Sequence, residues 1–236
     1  DNFTPENLRG CTEDSLKHLG VESLDLTQLH CLPTEVLRQG EVFDEMRKLQ
    51  EAGLIRHWGV SVESMEEALI CLEQDGLTSL QIIFNVFRRK PAEILFEKAK
   101  AMNIAIIVRL PLASGLLSGK LSPDSTFSEN DHRGFNVDGQ FFNVGETFAG
   151  LGLDKGTELA DELKQFVPEG MSMATMALRW ILDFDGITTI IPGASRVEQA
   201  QDNPSASKLP SLPDELHEKL KAFYSERVMS HIRGPY

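Results

Sequence analysis

The chain has 236 residues, of which 41% are hydrophobic, and a formal net charge of −13. This length and composition allow a sizeable core and predict one domain over residues 1–236. The negative charge argues against sequence-independent binding to nucleic acid or to an anionic membrane surface. No segment approaches the roughly 18 consecutive apolar residues of a membrane span, so a soluble, cytoplasmic protein is expected.

The three cysteines, Cys11, Cys31 and Cys71, are widely spaced and form no CxxC pair. An odd number at such spacing predicts neither a disulfide framework nor a zinc site, and we expect no metal. A reducing compartment is the simplest setting for them.

Strand and helix patterns alternate along the chain. Apolar and β-branched runs predict strands at 24–31, 56–61, 80–84, 104–110 and 187–191. Helical periodicity predicts helices at 4–19, 42–53, 64–76, 92–102, 155–166, 172–182 and 213–224. Thr4 marks the start and Gly20 the end of the first helix, and Glu67 lies in the capping-box position of the helix that starts near Ser64. Residues 111–150 contain many Gly, Ser, Asp and Asn residues and no long helical period. They predict a long loop of the kind that is usually functional.

The stretch TTIIPGASRVEQAQDN (188–203) predicts a strand, a tight turn and the start of a helix. The backbone N–H groups of Ala194, Ser195 and Arg196 then lie where a helix binds anions, and the Arg196 guanidinium suits phosphate. Gln199 and Asn203, four residues apart, are able to face one ligand from adjacent turns. The stretch therefore predicts a phosphate site beside a purine pocket, although strand–turn–helix junctions also occur in α/β proteins without such a site.

Alternating strands and helices predict a parallel sheet covered by helices. A doubly wound sheet and a (β/α)8 TIM barrel both satisfy the pattern. The barrel is favoured because its phosphate sites lie in the loops after strands seven and eight, and here the long loop and the anion-binding stretch follow the last two strands.

Five segments in order, LDLTQLHC, GLIRHWGVS, LQIIFN, VRLPLASGLLSGK and IIPGASRVEQAQDN, closely resemble the aldo-keto reductases, which are NADP-dependent barrel enzymes that reduce aldehydes or ketones to alcohols. In that family these segments are barrel strands four to eight. The resemblance implies NADP(H) as cofactor and a small carbonyl compound as substrate.

The resemblance also assigns roles to individual residues. His30 matches the histidine that orients the substrate carbonyl, and Ser61 and Gln81 match the residues that hold the nicotinamide carboxamide. Residues matching the pyrophosphate loop are Leu112, Ser114, Gly115, Leu117, Lys120 and, further along, Arg133. Residues matching the adenosine end are Gly193, Ser195, Arg196, Gln199 and Asn203, with Ser195 and Arg196 placed for a 2′-phosphate, which favours NADPH over NADH.

Two positions depart from the family pattern. Arg109 lies where many members have an aromatic residue that stacks on the nicotinamide, and a planar guanidinium is also able to stack. Val62 follows Ser61 where many members have asparagine, so one hydrogen bond to the carboxamide is expected to be missing.

The resemblance covers only the last five strand–helix units of the barrel. The family aspartate, tyrosine and lysine lie in the first three units, and the only tyrosines here are Tyr224 and Tyr236. We therefore expect an N-terminally truncated domain that is inactive or very slow alone. The alternative is a catalytically silent NADP(H)-binding or interaction module. An incomplete barrel leaves two unpaired edge strands, which predicts self-association.

Overall fold

The alternating sequence pattern produces one parallel sheet in the computed structural model, which describes residues 3–236. Its strands, in the spatial order β1 to β5, are Leu24–His30, Ile55–Ser61, Leu77–Ile83, Ala105–Arg109 and Thr189–Ile190. Each strand pairs only with its neighbours in sequence, and every pair is parallel. The predicted α/β class is confirmed. The strand order is also that of consecutive barrel strands, and β1 and β5 are the edges of the described sheet.

The described part of the chain has eleven α-helices. In order, α1 to α11 are Pro5–Leu19, Thr34–Gln39, Glu41–Glu51, Met65–Leu72, Lys90–Ile94, Phe96–Ala101, His132–Phe135, Leu153–Leu163, Met173–Leu182, Val197–Asp202 and Asp214–Phe223. Of these, α1 precedes β1, and α10 and α11 follow β5. Within residues 3–236, none of these helices combines the length and the apolar character that crossing a membrane requires.

Local capping signals account for several helix boundaries. The Thr4 hydroxyl accepts a hydrogen bond from the Asn7 backbone N–H at the start of α1, and Gly20 ends that helix with φ +68°. At α4 the Ser64 side chain and the Glu67 side chain bond each other's backbone N–H groups, which is the predicted capping box. These bonds satisfy N–H groups that a helix leaves without partners.

Two predicted elements differ from the structure, and a helix of the structure was not predicted. The helix predicted over 92–102 is divided at Leu95, and the short helix α2 was not predicted, although Pro33 and Gly40 bound it. The last strand was predicted as a buried strand over 187–191, but β5 contains only Thr189–Ile190. Thr189 is exposed, because β5 has a neighbour on one side only in the described sheet.

Close packing aligns the carboxyl ends of the strands. Gly59 permits the approach of β2 to β3, because a Cβ at that position would lie 2.6 Å from the Ser79 carbonyl oxygen. His30 pairs with Ser61, and Ser61 pairs with Gln81, so these three residues form one row across three strands. Trp180 of α9 stacks on Phe84, the residue that follows β3, with ring centroids 4.9 Å apart.

The predicted long loop, residues 111–150, has no strand. It folds into short helical turns at Ala113–Ser118, Val144–Glu146 and Phe148–Gly150, together with the four-residue helix α7. Two of these turns are buried among each other and the helices α8 and α9, with Leu117, Phe148 and Ala149 nearly inaccessible. The loop is therefore a packed wall above the carboxyl ends of the strands.

Candidate functional site

A cavity of about 1270 Å³ lies between the long loop, the start of α9 and the segment after β5. This exceeds the roughly 300–1,000 Å³ of pockets for drug-sized ligands and is large enough for a dinucleotide. Nine of the residues predicted from sequence line it: Arg109, Leu112, Ser114, Gly115, Lys120, Arg133, Gly193, Gln199 and Asn203.

The Arg109 guanidinium forms the end of the cavity nearest β1. Its Nε and Nη2 donate to one oxygen of Glu146, and Nη1 donates to the carbonyls of Val62, at 3.0 Å, and Gln81, at 3.1 Å. Nη2 also lies 3.8 Å from the Cys31 sulfur. These contacts engage all five N–H donors of a guanidinium, so no edge of Arg109 is left to bind a phosphate or carboxylate.

Acidic groups and a thiol surround that arginine. One ligand atom from each of Cys31, Glu63 and Glu146 lies within 4.8 Å of the others. Burial raises the pKa of the Cys31 thiol, with Arg109 acting in the opposite direction. Burial also raises the pKa of the Glu63 carboxyl, and the charge of Glu146 adds to this effect. The Arg109 guanidinium contacts this cluster directly, and the charge of Glu146 also acts on the buried Arg88.

The row of His30, Ser61 and Gln81 lies next to this end of the cavity but does not line it. His30 is exposed. Ser61 is 2% exposed, with its hydroxyl 3.7 Å from the Cys31 sulfur. The Gln81 amide donates to the Gln28 side chain at 2.8 Å. Contact of Ser61 and Gln81 with a nicotinamide therefore stays a prediction.

Backbone geometry shapes the loop after β4. Ser114 and Gly115 have φ of 56° and 99°, which turns the chain sharply. The Ser114 hydroxyl donates to the Glu146 carbonyl and accepts from the Phe148 backbone N–H, both at 3.1 Å. Leu117 is fully buried, so its place is the core rather than the cavity wall, whereas Lys120 is exposed at the cavity.

Arg133 lines the cavity while paired with an acid of its own loop. Its Nε and Nη2 donate to the two oxygens of Asp131, at 3.0 and 2.7 Å, and its guanidinium lies 4.4 Å from the Phe127 ring centroid. The hydrogen bonds from Arg133 lower the pKa of Asp131 to about 2. Two of the guanidinium donors predicted to bind phosphate are thus held by a carboxylate.

The segment after β5 uses one side chain to cap its own helix. Gln199 Oε1 accepts from the backbone N–H groups of Ser195, at 2.8 Å, and Arg196, at 3.1 Å, and from the Ser195 hydroxyl. These two N–H groups were predicted to be free for an anion, and that prediction is wrong because Gln199 occupies them. Asn203 donates to the Gly193 carbonyl at 3.3 Å. The Arg196 side chain is exposed and forms no ion pair within the described residues.

The residues present fit a dinucleotide cofactor. Lys120 and Arg133 supply positive charge in the cavity, and a Cβ at Gly193 would meet nothing within 4 Å, which leaves open space there.

Two acidic residues that contact the cavity arginines, Glu146 and Asp131, were not predicted from the sequence. Asp131 is only two residues from Arg133, so local charge spacing could have indicated it, but Glu146 and Arg109 are 37 residues apart.

Comparisons with known proteins identify similar sequences. The aldo/keto reductase family model matches residues 1–225. Aldo-keto reductase YhdN of Bacillus subtilis (strain 168) is 30% identical over 190 residues, covering 80% of this chain and 55% of that protein. The uncharacterized oxidoreductase C215.11c of Schizosaccharomyces pombe is 28% identical over 216 residues, covering 92% of this chain and 57% of that protein. The chain thus spans little more than half the length of these two relatives.

Solved structures give the same result for the fold. The glycerol dehydrogenase AKR11B4 from Gluconobacter oxydans superposes with a TM-score of 0.71 at 28% identity, covering 98% of this chain and 68% of that one. The holo form of the aldo-keto reductase AKR11C1 from Bacillus halodurans also has a TM-score of 0.71, at 21% identity, covering 93% and 67%.

Proposed function

Because the chain belongs to the aldo/keto reductase family, we propose that it binds NADP(H) in the cavity described above and serves the reduction of small aldehydes or ketones. When bound, the nicotinamide supplies the hydride. The observation that carries this proposal is the cavity itself, which combines dinucleotide size with Lys120 and Arg133 on its wall and the Arg109 guanidinium at its end nearest β1.

The phosphate-binding role belongs to the loop after β4. Ser114 and Gly115 bring the backbone close to the cavity, and Lys120 provides a charge that no acidic group pairs with in the described part of the chain. Arg133 also binds the phosphates once its guanidinium exchanges the hydrogen bonds to Asp131 for bonds to the cofactor. Leu112 packs against the cofactor, whereas the burial of Leu117 argues for a supporting role beneath the loop.

The adenosine end lies after β5, where Gly193, Gln199 and Asn203 line the cavity. Ser195 and Arg196 adjoin Gln199 without lining the cavity themselves. They bind the 2′-phosphate once the Ser195 hydroxyl exchanges its bond with Gln199, which makes NADPH the preferred cofactor. The exposed, unpaired guanidinium of Arg196 supports this assignment, because a phosphate would displace no existing partner.

The reacting end lies where Arg109 meets the ends of β1 to β3. His30 orients the substrate carbonyl and moves a proton to its oxygen. Ser61 and Gln81 hold the nicotinamide carboxamide, for which Gln81 must exchange its bond with Gln28. The substrate is a small carbonyl compound or the matching alcohol, and the similar structure of a glycerol dehydrogenase supports this class.

The second candidate is an NADP(H)-binding module without catalysis. The observation that favours it concerns the two tyrosines, whose hydroxyls lie 2.7 Å apart in a hydrogen bond of their own. Burial and this bond raise the pKa of Tyr224, which leaves it unsuited to proton donation. We therefore expect carbonyl-dependent NADPH oxidation by this chain far below the usual range of about 1–1,000 per second.

Cofactor binding is tested by titrating NADPH and NADH against the wild-type chain, Arg196→Ala and Lys208→Ala, and following fluorescence. We expect Arg196→Ala to weaken NADPH binding about tenfold, because a charge-assisted contact to the 2′-phosphate is lost. NADH binding should not change. Lys208→Ala is the matched control, since it removes an exposed charge of the same sign, 12 residues further along the chain, that has no proposed contact with the cofactor.

The outcomes separate the candidates. Absence of binding of both cofactors to the wild-type chain would reject the proposal. Equal loss of NADPH and NADH affinity in Arg196→Ala would reject the 2′-phosphate assignment alone. Binding without carbonyl-dependent oxidation would select the silent module.

A further inference from the structure

Glu146 is the carboxylate that holds the Arg109 guanidinium at the end of the cavity. It lies in the turn Val144–Glu146 of the long loop, and one of its oxygens accepts from Nε and Nη2 of Arg109. The Arg109 side chain is 9% exposed and the Glu146 side chain 18% exposed. Such a partly buried pair is screened less by solvent than a surface pair.

The remaining Arg109 donors are fixed by groups of the sheet. Nη1 is held by the carbonyls of Val62 and Gln81, and Nη2 lies near the Cys31 sulfur. With every N–H engaged, Arg109 offers a ligand only its flat face. A planar guanidinium face stacks on aromatic rings.

The electrostatic interaction between this guanidinium face and a bound nicotinamide depends on the redox state of the nicotinamide. A nicotinamide ring is neutral when reduced and positive when oxidised, so an uncompensated guanidinium beneath it would repel only the oxidised form. The Glu146 carboxylate is in direct contact with the guanidinium, so its negative charge opposes this repulsion. A further carboxyl, Glu63, lies in the same cluster.

From this geometry we infer that Glu146 is a specificity-determining residue, which neutralises Arg109 so that the cavity accepts the oxidised as well as the reduced nicotinamide. The inference rests on the proposed NADP(H) binding and adds to it a residue that sets the relative affinity for the two redox forms. Glu146 acts through Arg109 and is a positioning residue, not a catalytic one.

The test is equilibrium binding of NADP⁺ and NADPH to the wild-type chain and to Glu146→Gln, which keeps the side-chain shape and removes the charge. We expect the ratio of the NADP⁺ to the NADPH dissociation constant to rise about tenfold in the variant. Glu129→Gln is the matched control, because it makes the same change at an exposed position of the same loop, outside the cavity lining. Its ratio should equal that of the wild type.

A second variant tests whether the ratio of dissociation constants changes in the opposite direction when the positive charge is removed. Arg109→Gln removes the cation and leaves the Glu146 carboxylate, so the ratio should fall below the wild-type value. Circular dichroism and thermal melts check that each variant is folded, and either folded variant is decisive alone. A ratio unchanged from wild type, or an equal loss of both affinities, overturns the inference while leaving NADP(H) binding intact. If the wild-type chain binds neither form, the proposed function fails, and the inference fails with it.

Discussion

At the residue scale, Asp131 stands where a phosphate of the cofactor is expected to bind. Its two oxygens hold Nε and Nη2 of Arg133, and the third guanidinium nitrogen lies 3.5 Å from the Ser114 carbonyl. The pair lies at the cavity with side-chain exposures of 23% for Asp131 and 31% for Arg133. A carboxylate that mimics a phosphate in this way competes with the ligand for the same donors.

We expect Asp131→Asn to tighten NADPH binding about three- to tenfold, because it weakens the competing pair and removes a negative charge beside the phosphates. Since Arg133 lowers the pKa of Asp131 to about 2, the carboxylate is charged throughout the neutral range. The gain should therefore be the same at pH 6 and pH 8. Fluorescence titration measures it.

Asp124→Asn is the control for that change, because Asp124 is an exposed acid on the same loop that does not line the cavity. It should leave NADPH affinity unchanged. Weaker binding in Asp131→Asn would contradict the competition and would indicate that Asp131 instead orients Arg133 for the cofactor.

At the element scale, the C-terminal tail anchors the loop that carries Glu146. Arg233 donates to the carbonyls of Val137, at 2.9 Å, and Gly150, at 3.0 Å, and pairs with Asp138 at 2.6 Å. The contact is close, since a Cβ at Gly150 would lie 2.7 Å from the Arg233 carbonyl oxygen. One side chain thus ties together both ends of the segment 137–150.

Arg233→Ala should loosen this segment, because three acceptors lose a charged donor, with a loss of about 1–2 kcal/mol in the free energy of unfolding. Hydrogen exchange of the amides in 136–150 should accelerate more than exchange in the strands. Arg227→Ala is the control, since Arg227 is similarly exposed but pairs with Glu162 on α8. Equal acceleration in both variants, or none, would argue against the anchoring role.

At the scale of the whole molecule, the features that depend on neighbouring residues in the sequence were predicted better than those that depend on contacts between distant residues. The Thr4 cap, the Gly20 stop and the Ser64–Glu67 capping box lie within a few residues of the helices that they bound, so the sequence alone was sufficient. The β5 boundaries were wrong because exposure depends on neighbours. The bonds of Gln199 and Glu146 were missed because several arrangements of these side chains are compatible with the same sequence, and packing selects one.

The described sheet leaves an edge at each side. β1 pairs with β2 alone and β5 with β4 alone, and backbone groups on such edges are free to pair with another chain. On β1, Leu26 is 40% exposed. The net charge of −13 causes repulsion between copies of the chain. The unpaired edges therefore favour self-association, whereas the charge disfavours it.

We therefore predict weak, concentration-dependent association that increases with salt, because screening at about 0.5 M reduces repulsion between chains while edge pairing remains. Sedimentation velocity over a range of protein and salt concentrations measures it. Leu26→Lys should reduce association, since a charge on an edge strand disfavours pairing. Leu19→Lys, which adds the same charge at an exposed position that ends α1, should reduce it less. A monomer at every concentration, or equal behaviour of the two variants, would show that the β1 edge is not where copies meet.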